Sequence, residues 1–211
     1  MRRTILVRRA RGERRPTEAV PSGPRSYAKE RDIVSSLHNL IMHRTSTGAK
    51  YLTEPAPGEA ELTRAVTCAM RAPCHDAEFP VRFVRIDSRE RLADLFEARL
   101  PADATPEERA KARSKATKGP GLVALVIRRT ADNARLEREN LITAGAALMN
   151  FLLSLEADGF AAKTVSAPEF ADPKGLYDPA TESLPAFILC GTPREDRPEA
   201  DVDEVDWIGH W

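Results

Sequence analysis

Residues 40–75 read LIMHRTSTGAKYLTEPAPGEAELTRAVTCAMRAPCH, and the punctuation of this stretch decides how the chain folds. Ile33, Leu37, Leu40 and Ile41 share one face at helical spacing ahead of the cluster His43, Arg44, Thr45, Ser46 and Thr47. Leu62, Ala65, Val66, Ala69 and Met70 do the same ahead of Arg71-Ala72-Pro73-Cys74-His75. Pro57 suits the first turn of the second helix, where no amide partner is needed, and Pro73 cannot continue it. The stretch therefore predicts a helical hairpin with a cationic cluster at each place where a helix stops. Arg44, Arg71 and His75 at such ends are placed to converge on an anion: an Arg fork makes two charge-assisted bonds to a phosphate, and neighbouring hydroxyls complete its hydrogen bonding. Taken alone, helix capping and solvation explain the same residues as well.

Charge is spread unevenly around this centre. Residues 1–31 hold ten Arg/Lys against three Glu, a surplus of +7 in a chain whose formal net charge is zero. Residues 1–30 read as a basic extension whose ordering little burial would offset. Interleaved aromatics and a recognition fold are missing from it, so nucleic acid is not an expected partner. Residues 194–211 hold two Arg against seven Asp/Glu and read as an acidic tail. The expected domain spans 31–193.

Downstream of the hairpin, Phe79–Ile86 reads as a strand, followed by a helix opened by Asp87 and Glu90 at capping-box spacing. Thr105-Pro106-Glu107-Glu108 opens a further helix, so charged that exposure is expected, as a flap, up to Gly119-Pro120. Leu122–Ile127 is an unbroken apolar run, the mark of a strand covered on both faces. Arg135–Asp158 is the longest periodic element, stopped by Gly159, with a small-residue patch at Thr143-Ala144-Gly145-Ala146-Ala147. Phe160–Val165 and Ala186–Cys190 complete the strands, giving an α+β layer fold around one sheet. No apolar run approaches the length of a membrane span, so no membrane partner is expected. Cys68, Cys74 and Cys190 form no CxxC pair and have no further clustered ligands, which predicts reduced thiols, a cytoplasmic location and no metal.

GxGxxG, Walker, GxSxG and HExxH signatures are all absent. The order of segments is informative instead. His43-Arg44-Thr45-Ser46, Leu52-Thr53-Glu54-Pro55-Ala56-Pro57, Ala69-Met70-Arg71-Ala72-Pro73-Cys74-His75 and Phe83-Val84-Arg85-Ile86 resemble the opening of the FMN-dependent nitroreductase superfamily, in particular its small bacterial NAD(P)H nitroreductase branch. Lys118-Gly119-Pro120, Leu122–Ile127, Ala144-Gly145-Ala146-Ala147, Asp158-Gly159-Phe160 and Gly191-Thr192-Pro193 continue the resemblance, which covers roughly residues 33–193.

The resemblance implies a nitroreductase-like fold with a central mixed sheet flanked by helices, assembled as a homodimer with FMN at the subunit interface. It places His43, Arg44 and Thr45 on the FMN phosphate and ribityl chain, with His43 standing where an Arg is common. Arg71 and His75 match the Arg-Ala-Pro-x-His motif fully, and Thr164, Val165 and Ser166 fall where a loop passes the isoalloxazine. Two departures thin the polar ring contacts: Glu78-Phe79-Pro80-Val81 replaces a Gln-Pro-Trp run, and Thr164-Val165-Ser166 replaces Trp-Arg-Ser. The implied activity is ping-pong hydride transfer from NAD(P)H to a nitroaromatic or quinone-like acceptor, with the flavin carrying the chemistry and no catalytic side chain required. The alternative is a flavin- or ligand-binding protein of the same fold without turnover.

Overall fold

Leu122 through Ile127 are all buried in β3 (Gly121–Arg128), and alternate residues of this strand serve two different cores. Leu122, Ala124 and Val126 pack with α3 (Arg89–Glu97) and with Ala112 and Ala116 of the following segment, whereas Val123 and Leu125 pack with α2 (Glu59–Ala69) and α5 (Ala134–Ala157). The molecule is thus a sheet between two helical layers, as the unbroken apolar run predicts. The computed structural model that shows this describes residues 36–76, 78–130 and 132–197. The basic extension, Ile33 and residues 198–211 of the acidic tail lie outside them.

The sheet runs β2 (Val81–Arg85), β3, β5 (Glu182–Pro193), β4 (Ala161–Ser166), with the short β1 (Leu52–Thr53) paired to the last residues of β5. Every pairing among the described residues is antiparallel, which corrects the expected mixed sheet. The physical reason is β5. A strand, crossover helix and strand such as β3, α5 and β4 leave both strands pointing the same way. Here β5 inserts between them and runs against both, pairing Val123 with Ile188 on one side and Thr164 with the same Ile188 on the other.

The helix boundaries follow local chemistry. Residues 36–43 are helical and form α1. Pro57 lies just outside α2: Gly58 is the cap residue, and the Glu61 carboxylate accepts its N–H at 2.9 Å. Ser88, not Asp87, caps α3 by accepting from Arg91 N, because Asp87 is engaged by Arg85 Nε. The helix expected to open at Thr105 does so as α4 (Pro106–Arg113), with Thr105 and Glu108 forming a capping box, and a 3-10 turn at Ser114–Thr117 extends it. α5 ends where Gly159 takes φ 84°. There Gly159 N donates to Glu156 O and Phe160 N to Leu155 O, the double bond that closes a helix on a left-handed residue.

α5 carries the core. Phe151 and Leu155 are fully buried, and the Phe151 ring stacks on Phe83 of β2 at 4.4 Å and 8°. α5 has 24 residues, and an 18-residue window of it reaches a mean hydropathy of 1.3, so by length and composition alone it could cross a membrane, contrary to the expectation for this chain. In the fold it lies along the sheet, and three of its large apolar residues, Leu141, Ile142 and Met149, are exposed at 53%, 70% and 44%.

Opposite edges of the sheet's first three strands are tied by one ion pair. Arg82 on β2 reaches across β3 to Glu182 at the start of β5, with Nε and Nη2 donating to its two oxygens at 2.7 and 2.6 Å. Burial pushes the Glu182 carboxyl up, but Arg82 and the Asp178 N–H outweigh it and hold the group below its ordinary 4.5. A carboxyl depressed in the folded state stabilises above its unfolded value, and that contribution is lost as pH falls through the folded one. Glu182→Gln is therefore expected to lower Tm at pH 7. The gap from wild type should narrow progressively once pH drops below 4.5. A gap that stays constant across a Tm titration from neutral to acid pH would show that the pair contributes nothing to folding.

Candidate active site

β4 has a strand partner on one side only among the described residues. Two elements meet along this strand. At its start, Thr47 N donates to Ala162 O at 3.1 Å and brings the segment after α1 against the sheet. Arg44 N closes α1 on Leu40 O, and the His43 ring folds back so that Nδ1 donates to Asn39 O at 2.8 Å. Arg44 and Thr45 are half-buried, and Thr47 is buried to 3% exposure with its hydroxyl lacking a partner among the described residues. A buried hydroxyl without a partner costs free energy unless a ligand takes it. Arg44 and Thr45, close by in sequence and partly open to solvent, can meet an anion or a polyol at this end of the strand.

At the far end of β4 a cavity of about 450 Å³ opens on the face of α3. Its floor is apolar, built from Leu122, Phe187 and Leu189 of the sheet and Leu92 and Phe96 of α3, and Val165 and Ser166 line it from β4. Arg99, Lys115 and Lys118 form its rim, with Lys115 Nζ 6.0 Å from the centre of the Phe96 ring. Val165 faces this cavity's core, whereas Thr164, one residue back, turns to the other face of the sheet as strand alternation requires.

These three cations were not singled out by the sequence. The run 107–118 reads as a solvated flap, yet Ala112 and Ala116 are buried at 5% and 0% exposure and seat it on α3. Arg113 closes the seam by reaching Glu90, Asp94 and Glu97, while Arg109 reaches Glu97. The legible signal was the pair of alanines four apart inside the charged run, together with two lysines immediately ahead of a buried strand. Arg89, at the start of α3, fastens the same segment from below. Its guanidinium donates to Ala116 O, Gly119 O and Pro120 O at 3.0, 3.3 and 2.9 Å. Gly119 has φ 69°, the left-handed conformation that lets these carbonyls converge. Burial pushes the Arg89 guanidinium below its ordinary range, although Cys190 and Glu54 act the other way.

Arg71 and His75 are elsewhere. Both are exposed on the loop that leaves α2. Thr143 of α5 donates its hydroxyl to Pro73 O at 2.8 Å, and Arg128 at the end of β3 binds the Asp76 and Glu78 carboxylates. This loop enters β2, which lies three strand steps from β4, about 14 Å across the sheet. It also belongs to the opposite helical layer. Along α5, the Arg64 to Asp158 pair and the Thr143 to Pro73 bond are fifteen residues apart, about 22 Å of helix. One chain therefore gathers Arg44, Thr45, Val165 and Ser166 along β4 but leaves Arg71 and His75 on another side. Arg194, a lesser candidate for an anion contact, is held by Asp196 at 2.8 and 3.1 Å. Cys190 is buried, which pushes its thiol up to about 12 and makes it an inert core residue.

Comparison with known proteins gives this arrangement a context. The family model described as "Nitroreductase family" matches residues 41–191. A Haemophilus influenzae protein named "Putative NAD(P)H nitroreductase" is 30% identical over 180 residues, covering 80% of this chain and 97% of that protein. The crystal structure of a nitroreductase-like family protein from Bacillus cereus superposes with a TM-score of 0.64 at 20% identity, over 80% of this chain and 91% of that one. A Desulfovibrio desulfuricans structure solved with FMN gives 0.56 at 20% identity, over 79% and 91% of the two chains.

The Arg89 clasp has a measurable worth. Arg89→Met removes a charged donor from three half-buried carbonyls, and a hydrogen bond to a charged group contributes about 1.5–3 kcal/mol. The substitution is expected to lower unfolding free energy by about 2–3 kcal/mol in urea titrations, with Arg89→Lys recovering part of it. Equal stability of Arg89→Met and wild type would remove the clasp from the account.

Proposed function

Because the chain belongs to the nitroreductase family, whose members are oxidoreductases working with FMN, we propose that it is an FMN-dependent NAD(P)H oxidoreductase reducing small nitroaromatic or quinone-like acceptors. The observation that carries this reading is the cavity beside β4, an apolar and aromatic floor under a wholly cationic rim. A flat ring with an electron-rich edge suits such a site, and a phosphate-bearing tail suits the Arg44, Thr45 and Thr47 segment at the other end of the strand. The residues present therefore fit the cofactor.

FMN, when bound, supplies the redox chemistry, accepting a hydride from NAD(P)H and passing reducing equivalents to the acceptor. The protein's own part is to hold and to polarise. Arg44 and Thr45 would hold the phosphate and ribityl chain. Ala162 O turns away from β5 to Thr47 N, so by strand alternation the amides of Thr164 and Ser166 also point away from β5 and can donate to the ring's polar edge whatever the side chains, while Val165 contributes its side chain. Lys115 and Lys118 would place positive charge beside that edge, where negative charge develops on reduction. The apolar floor excludes water, which strengthens each of these interactions.

Arg71 and His75 enter through a second copy. Leu141 and Ile142 immediately precede Thr143, which pins the loop bearing Arg71 and His75, and these apolar side chains are exposed, as are Leu37, Ile41 and Met42 of α1. Covering this surface in a homodimer would carry the Arg71 and His75 loop of one copy toward the β4 edge of the other. Three free thiols, Cys68, Cys74 and Cys190, suit a protein working in the reducing cytoplasm.

Two experiments test the reading. Protein purified with added FMN should be yellow and should bleach anaerobically with NADH or NADPH; colourless protein, or a yellow one that neither nucleotide bleaches, refutes the enzyme. For the shared site, Arg44→Ala and Arg71→Ala homodimers should each be impaired, and refolding the two together should restore activity. A mixed dimer holds one site with both changes and one intact site. No recovery on mixing would place both arginines in the same copy's site.

A further inference from the structure

The cavity's rim has one sign of charge. Arg99, Lys115 and Lys118 line it and no Asp or Glu does; Glu169, the nearest acidic residue in sequence to its Ala167 and Pro168 wall, lines the neighbouring cavity. The cations come from two walls. Lys115 and Lys118 flank the turn into β3, while Arg99 follows the end of α3 and is aimed by one bond, Nε donating to Glu169 O at 3.0 Å. That bond fixes the guanidinium plane and leaves both terminal nitrogens without a partner among the described residues. Arg109 and Arg113, by contrast, are consumed by the α3 carboxylates.

Charge beyond the cofactor's needs is therefore present. On the proposed function, the phosphate is met at the Thr47 end of β4, and Lys115 and Lys118 serve the ring's electron-rich edge. Arg99 remains, on the opposite wall of a cavity whose low-dielectric walls focus the field at its mouth. Any second substrate must enter through that mouth and stack against a ring there. We infer that the acceptor is an aromatic anion, a ring carrying a carboxylate, sulfonate or phenolate, and that Arg99 selects it. This rests on the proposed oxidoreductase activity. The planar fork of Arg99 matches a carboxylate with two parallel hydrogen bonds, a geometry that the lysines do not offer. For a nitro acceptor the reaction balances as ArNO2 + NAD(P)H + H+ giving ArNO + NAD(P)+ + H2O, with the carboxylate unchanged throughout.

The test uses the full FMN-loaded chain, after its flavin content and its bleaching by NAD(P)H have been measured. kcat/KM is compared for 4-nitrobenzoate, neutral 4-nitrobenzamide and a cationic 4-nitrobenzyl trimethylammonium salt. Because intrinsic ease of reduction differs among these compounds, the quantity read is the benzoate-to-benzamide ratio in wild type divided by that in Arg99→Gln. The ratio should fall about tenfold in Arg99→Gln, be largely retained in Arg99→Lys, and shrink in wild type as salt rises from about 0.02 to 0.5 M, since exposed charges are screened over a few ångströms at the higher value. The cationic compound should be the poorest substrate. An unchanged ratio in Arg99→Gln, or equal use of the cation, overturns the inference while leaving the oxidoreductase standing. Protein that binds no FMN or resists NAD(P)H overturns both.

Discussion

β5 is hydrogen-bonded to three other strands, and those pairings set the floor and one side of the cavity. Its register against β3 puts Leu189 beside Leu122 and Phe187 beside Ala124, which lays the apolar floor of the cavity. Its register against β4 sets Val165 opposite Phe187 at the cavity's side. Its last residues hold β1, and with it the chain that has just passed Thr47 and Ala162. A one-residue slip in any of these ladders would exchange the two faces of a strand and empty the cavity of its lining.

The same sheet that gathers Arg44, Thr45, Val165 and Ser166 along β4 separates them from Arg71 and His75. Arg71 and His75 follow α2, which packs antiparallel to α5 on the far face, and their loop is bound to Thr143 and Arg128 rather than to anything near β4. The exposed apolar residues of α5 lie next to that loop. Burying such a surface is worth roughly 25 cal/mol for each Å² removed from water.

Much of this was legible in the sequence because it rests on short-range rules. The strand at Leu122–Ile127, the helix stopped by Gly159 and the capping box of Thr105 and Glu108 all follow from pattern and local hydrogen bonding. What stayed hidden depends on partners far along the chain. Asp87 has the right spacing to cap α3, but Arg85 takes its carboxylate and Ser88 does the capping. The mixed sheet fails because the last strand inserts between two earlier ones, an event no local window contains. The hairpin clusters looked convergent because both close helices, yet their separation across the sheet is a tertiary fact. Lys115 and Lys118 were concealed by the density of charge around them, although Ala112 and Ala116 marked the buried side.

Arg89 has a bearing on more than the turn it fastens. It binds carbonyls only, and no carboxylate lies within ion-pair reach of it among the described residues, so its charge is spent structurally but not cancelled. A cation of this kind behaves as part of the scaffold's permanent polarity. Rim lysines swing, exchange counterions and are screened by salt, whereas a guanidinium locked under the backbone of residues 116–120 cannot follow the ligand or retreat from it. The clasp therefore keeps a positionally fixed positive charge under the turn that carries Lys115 and Lys118, one that salt screens less than it screens the exposed rim.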